Sequence, residues 1–174
     1  MSILFADNNC DLNFSQIKQF GIEYINMPFS LHNNSIVEID SSFFEEVFAP
    51  YLSQGNNLVY VHEGVDYFNS YANLKKAIRR LKTEYPDNTI YLVDSEATSA
   101  GYAFIVYLAM LKYKTGCNEV DLVNYINKIK KERDLAMELL AINHDLRIID
   151  TAYVLETEYS PEELWLNPSS LLMM

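Results

Sequence analysis

The sequence predicts a three-layer α/β/α domain in which a mainly parallel sheet carries helices on both faces. Two observations carry this. Short apolar runs alternate with stretches of helical period along most of the chain, the pattern of successive βαβ units. The clearest unit is residues 89–104, TIYLVDSEATSAGYAF, where an apolar run stops at Asp94-Ser95 and a long apolar helix begins near Ser99. In open α/β sheets such a turn lies at the carboxyl end of a strand, where ligands bind. A length of 174 residues with 49% hydrophobic content and 13% aromatics suffices for one domain with a substantial core.

Residues 2–6 (SILFA) read as a short buried strand and residues 7–11 as its turn. Asn13 is placed to cap a short helix in which Phe14, Ile17 and Phe20 share one face, with Gly21 as C-cap. Residues 22–27 make the next strand, with Pro28 near its end. An edge hairpin through His32-Asn33-Asn34-Ser35 is expected, because Asn tolerates left-handed backbone. Asp40 or Ser41 then starts a helix that turns Phe43, Phe44, Val47, Phe48 and Leu52 inward, and Pro50 is expected to kink or shorten it. Residues 58–61 (LVYV) are the following strand and residues 62–66 its turn. A helix is expected from about Tyr67 to Tyr85, with Leu74, Ala77, Ile78 and Leu81 on its apolar face.

After the strand at 90–93, residues 99–114 are apolar nearly all round, as expected of a helix packed between a sheet and something else. Gly116 ends it. Asn118 caps the next helix with Asp121 as a capping-box-like partner, and Val120, Val123, Ile126 and Ile129 form its expected buried stripe. Beyond Arg133, residues 136–142 are expected to extend a helix, residues 146–149 (LRII) to form a short strand, and Ser160-Pro161-Glu162-Glu163 to start a last short helix. The apolar tail, residues 171–174, is expected either to pack on the domain or to meet a partner. With no internal repeat, a single domain over residues 1–174 is expected, its last residues 156–174 forming a C-terminal extension.

A formal charge of −11 argues against nucleic acid or anionic membrane as partner. The basic cluster Lys75, Lys76, Arg79, Arg80 and Lys82 reads as a solvated helix face. No apolar run approaches the roughly 20 residues of a membrane span. A cytoplasmic protein is expected, with Cys10 and Cys117 as free thiols.

Three polar loops, residues 7–11, 62–66 and 94–99, each follow a strand. If those strands are parallel neighbours, the loops meet at one edge of the sheet, and this convergence is the functional inference that the residues themselves support. Other chemistries fit poorly. A Cys10 nucleophile with His62 as base lacks flanking positive charge. A metal site from Asp7, Asp11, His62, Glu63 and Asp94 matches no ligand spacing. None of the five glycines sits in a phosphate-binding loop. No cofactor and no metal are therefore expected, and Asp, Asn and Ser also serve such loops as ordinary turn and cap residues.

The same loops resemble those of the DegV family, bacterial fatty-acid-binding proteins. Asp7-Asn8-Asn9-Cys10-Asp11-Leu12, after the apolar ILFA, is similar to the family's D-S-S-C-D-L turn. The run from Val93 to Gly101, VDSEATSAG, is similar to V-D-S-x-x-x-S-x-G without a gap. Val61-His62 followed by Phe68-Asn69-Ser70-Tyr71 is similar to a strand ending in I-H and an S-G-T-Y helix start, with Phe68 and Asn69 in place of the family's serine and glycine. The resemblance covers about residues 2–133. Two features of the family are expected to be absent: the T-S-Q-P-S loop with its carboxylate-binding threonine, since residues 51–57 run directly into a strand, and the second domain that forms half of the acyl tunnel.

What the resemblance implies is the N-terminal domain of a non-enzymatic protein that binds a fatty acid or similar small apolar carboxylate and presents it to a fatty acid kinase. Asn9, Ser70 and Ser95 would border the carboxylate, and Tyr67, Phe68 and Tyr102 would line the apolar part. A second reading is a degenerate family member acting as an interaction or regulatory module, a homodimer with no lipid ligand.

Overall fold

The computed structural model describes residues 2–10, 12, 17–19, 21–28, 31–32, 35–36, 38–66 and 68–135. Asp11, Asn13, Phe14, Phe20 and Tyr67, and every element expected beyond residue 135, lie outside the described residues. Met1–Lys131 form one compact unit; helical residues 132–135 belong to a second.

In chain order the elements are β1 (Ser2–Asp7), β2 (Glu23–Ile25), the antiparallel pair β3 (Leu31–His32) and β4 (Ser35–Ile36), α1 (Ser41–Leu52), β5 (Asn57–His62), α2 (Tyr71–Glu84), β6 (Ile90–Asp94) and α3 (Ser99–Tyr113). A further helix, α4, covers residues 119–135. The main sheet has the order β2-β1-β5-β6 with all neighbours parallel. Leu4, Phe5 and Ala6 in β1 and Leu58 to Val61 in β5 are buried at consecutive positions, as strands covered on both faces must be. Alternation divides them between two cores. Phe5, Leu58 and Tyr60 join Phe44, Phe48, Leu52, Leu74 and Leu81 from α1 and α2. Leu4, Ala6, Val59 and Val61 join Tyr102, Ile105, Met110, Leu122 and Ile126 from α3 and α4. The three-layer arrangement and the β3–β4 hairpin are as the sequence predicts.

Local chemistry accounts for most of the boundaries. Gly21 takes φ +66° and donates its N–H to Ile17 O at 3.2 Å, closing the helical residues 17–19. The Asp40 carboxylate accepts from the Ser42 amide at 3.3 Å and caps α1. At α4, Asp121 N–H donates to Asn118 Oδ1 and Asn118 Nδ2 donates to Asp121 Oδ2, both at 2.8 Å. The expected apolar face of α2 is buried throughout, and Lys75, Lys76, Arg79, Arg80 and Lys82 lie in solvent on its other side.

Four expectations need correction. Helix α1 runs two residues past Pro50, because Phe48 and Leu52 are buried on the sheet and their burial outweighs one missing hydrogen bond. Helix α2 starts at Tyr71 rather than near Tyr67. Before it the chain makes turns, Phe68 N–H to Gly64 O at 3.1 Å and Tyr71 N–H to Phe68 O at 3.0 Å, which draw Phe68 into the core. In α4 the buried stripe is Leu122, Ile126 and Ile129, while Val120 is exposed. Helix α3 buries Tyr102, Ile105, Val106, Ala109 and Met110 but leaves Phe104 and Leu111 exposed.

Candidate functional site

Because β1, β5 and β6 are adjacent and parallel, their last residues Asp7, His62 and Asp94 end at one edge of the sheet, with His62 and Asp94 paired in register. The loops beyond them are fastened together. The Glu63 carboxylate accepts from Asn9 Nδ2 at 3.1 Å and from Thr98 Oγ1 at 2.6 Å, so one side chain joins all three loops. Ser95 N–H donates to His62 O at 3.0 Å and Gly64 N–H to Ala97 O at 2.8 Å. A Cβ on Gly64 would lie 3.0 Å from Ala97 N, so the close approach of the two loops requires glycine there. Cys10 and Ser99 form a parallel bridge.

Under these loops lies a buried polar network. Asp7 Oδ2 accepts from Tyr60 Oη at 2.7 Å and is 3.0 Å from Tyr102 Oη; Asp7 Oδ1 accepts from Asn9 N–H at 2.9 Å. The Tyr102 hydroxyl also lies 2.8 Å from Val61 O and accepts from Asp7 N–H at 3.3 Å. A tyrosine hydroxyl has one proton, so it cannot donate to both Asp7 and Val61. The proton therefore goes to one of these two acceptors at a time. Burial pushes the Asp7 carboxyl up from 3.8 to about 6, assisted by Glu63 and opposed by the hydrogen bonds from Tyr60, Asn9 and Tyr102. Burial and the Asp7 charge hold both tyrosine hydroxyls well above their ordinary value.

His62 is buried among Tyr60, Phe68 and Tyr71, with ring centroids 5.7, 5.8 and 5.2 Å away. Its Nδ1 lies 2.7 Å from Glu63 O, which makes Nδ1 the protonated nitrogen, and burial lowers the imidazole pKa. Cys10 is buried in the opposite core, its Sγ 3.9 Å from Tyr24 Oη. The two residues sit against different faces of the sheet and do not form a nucleophile–base pair. No group of three or more His, Cys, Asp or Glu among the described residues is placed to hold a metal ion.

Of the residues expected at a ligand, Asn9 is exposed at the edge and is tied to Glu63 and Asp7. Ser70 is buried; its Oγ accepts from Ile39 N–H at 2.7 Å and donates to the exposed Asn69 side chain at 3.1 Å. Ser95 is buried with Oγ donating to Ala97 O at 3.1 Å, inside its own loop. Phe68 is buried against Phe44 and His62. Tyr102 is fully buried in the Asp7 network. Tyr67 lies outside the described residues. The fold thus brings Asn9, Ser95 and Tyr102 together around the loop cluster, places Phe68 beside His62, and sets Ser70 at the start of α2.

Sequence reasoning missed two contributors. Tyr60 supplies the shortest contact to Asp7, and only its place in an otherwise apolar run marked it. Lys130, on α4, donates to Asp94 O at 2.8 Å and to Glu96 Oε1 at 2.6 Å. In the sequence it is one of several basic residues on a helix, indistinguishable from surface charge. Glu96 and Ser99, in the loop that Lys130 grips, have φ of 52° and 51°, a left-handed conformation costly for residues with a Cβ. Two clefts of about 440 Å³ lie away from the joined loops. One is lined by Leu52, Tyr85 and Pro86, the other by Ser2, Tyr113 and Cys117.

No protein-family model matches the sequence. A DegV domain-containing protein from Clostridium perfringens is 23% identical over 155 residues, covering 75% of this chain and 53% of the relative. Among solved structures, a stearic acid-binding protein from Eubacterium ventriosum superposes with a TM-score of 0.65 at 14% identity, over 73% of this chain and 52% of that one. A fatty-acid-binding DegV family protein from Thermus thermophilus gives 0.62 at 13% identity, over 75% and 53%. No helix among the described residues is long and apolar enough to cross a membrane. The chain spans about half the length of the relatives it matches. The chain thus shares the fold of DegV family structures and is similar in sequence to a DegV domain-containing protein over three quarters of its length.

Proposed function

We propose that this chain is a non-enzymatic binding protein for a fatty acyl or other apolar carboxylate ligand, received at the carboxyl edge of its sheet. The observation that carries the reading is the convergence of three loops on Glu63, which builds one polar rim from Asn9, Glu63 and Thr98. The stearic acid-binding and fatty-acid-binding neighbours supply the ligand class. Asn9, Ser70 and Ser95 border the carboxylate, while Tyr67, Phe68 and Tyr102 serve the apolar part. Ser70 is the readiest hydroxyl donor, because its proton now goes to an exposed amide and can be redirected, whereas that of Ser95 holds a loop carbonyl. A kinase acting on the bound acid is the partner this role calls for. Mass spectrometry of lipids extracted from the purified protein tests the ligand. A protein that carries no acyl chain and takes none up in titration ends this reading.

The exposed Phe104 and Leu111 on α3 favour a second reading, an interaction module that associates through this face. Light scattering at high concentration decides it, since a strictly monomeric profile leaves the face without a use in self-association.

A further inference from the structure

Among the described lysines, Lys130 alone is buried. Its side chain is 10% exposed, whereas that of its ion-pair partner Glu96 is 55% exposed. The ammonium is held among packed groups with one hydrogen on the strand-end carbonyl of Asp94 and one on Glu96. An ammonium has three N–H donors, and among the described residues the third has no partner. The pair is therefore lopsided: the cation cannot move to water without unpacking α4, but the anion already stands half in it. Removing the anion alone would leave a buried charge uncompensated, which is strongly unfavourable. Exchanging it for another carboxylate keeps the balance.

The neutral donors bordering the edge do not supply that balance. Asn9, Ser70 and Ser95 carry no charge, and in a chain of net charge −11 a carboxylate taken out of water without a cation is heavily disfavoured. We propose that the Lys130 ammonium is the counter-ion for the ligand carboxylate, which reaches it by displacing Glu96; this rests on the fatty-acyl reading given above. The incoming head takes the place of Glu96 Oε1 and engages the third N–H. Glu96 turns outward and its left-handed backbone loses the ion pair as one restraint, while its amide still donates to Asp94 Oδ1 at 2.8 Å. The 94–99 loop is thus both the guard of the cation and the segment that moves when ligand arrives.

The test uses the full chain, stearate, and stearyl alcohol as its uncharged counterpart, with affinities measured by displacement of a fluorescent fatty acid and folding checked by circular dichroism. Wild type is expected to prefer stearate to the alcohol. Lys130→Met loses about tenfold or more in stearate affinity and little for the alcohol; Lys130→Arg restores the preference. Glu96→Gln, which removes the competing carboxylate at a half-exposed position, raises stearate affinity. A folded Lys130→Met that keeps the wild-type preference overturns the proposal and leaves Lys130 as a loop brace. Should Lys130→Met not fold, Glu96→Gln decides alone, and no rise in stearate affinity overturns the proposal. Wild type that binds both probes equally overturns the counter-ion role only. Wild type that binds neither overturns the fatty-acyl reading and this inference with it.

Discussion

Tyr102 and Asp7, 95 positions apart in the chain, meet twice: the tyrosine hydroxyl lies 3.0 Å from the aspartate carboxyl and 3.3 Å from the same residue's amide nitrogen. That hydroxyl also reaches Val61 O at 2.8 Å, so one side chain from α3 is bonded to the ends of both central strands. Its ring belongs to one core and its partner Tyr60 to the other. The contact therefore ties the two layers across the sheet edge on which the loops stand.

Tyr102→Phe keeps the ring and removes this tie. The buried groups it served lose a partner, and a loss of about 1–3 kcal/mol in unfolding free energy is expected. Urea denaturation at pH 7 measures it. A change near zero would show that the hydroxyl adds nothing to its ring.

The Asp7 carboxyl, at about 6 in the fold against 3.8 ordinarily, binds a proton more tightly when folded. Between about pH 4 and 6 the folded state holds that proton and the unfolded state does not, so stability falls as pH rises through this window. The full difference corresponds to about 3 kcal/mol, an order-of-magnitude value. His62, with a lowered pKa, works in the opposite direction by losing stability as pH falls below its ordinary 6.5. Comparing Asp7→Asn with wild type isolates the aspartate: the variant gains relative stability from pH 4 to pH 6 and the gain is level above that. A parallel pair of stability-against-pH curves contradicts the assignment.

Gly64 is required by contact rather than by backbone angle. Ala at this position places a methyl 3.0 Å from Ala97 N and 3.3 Å from Ala97 O, both backbone atoms. Gly64→Ala is expected to lower stability by about 1–3 kcal/mol and to speed hydrogen exchange in the 94–99 loop. Gly55→Ala is the control: φ there is +78° but nothing lies within 4 Å, so the cost is confined to its own turn and exchange at 94–99 stays unchanged.

Ser70→Ala separates two roles of one hydroxyl. Ile39 N–H loses its acceptor, which lowers stability by about 1 kcal/mol. If the hydroxyl also faces the ligand, stearate affinity falls further than that of stearyl alcohol. Equal losses for both probes would assign Ser70 to the fold alone.

Much of the architecture could be read directly, because it depends on neighbours in the chain. The apolar runs of β1, β5 and β6, the Leu74-Ala77-Ile78-Leu81 face, the caps at Asp40 and Asn118 and the terminating glycines at 21 and 116 follow from periodicity and turn chemistry within a few residues. The loop motifs 7–12 and 93–101 carried the family resemblance in the same local way. What the chain's order could not show depends on which distant groups share a buried space. Pro50 inside α1, the delayed start of α2, the raised pKa of the buried Asp7 and the burial of Lys130 against Asp94 and Glu96 arise only when residues tens of positions apart are packed together. Burial changes the free energy of a charge far more than it changes that of a methyl group. Tertiary packing therefore settles where the apolar residues' polar neighbours are neutral, paired or held in reserve, and a run of hydrophobic letters settles where the strands lie.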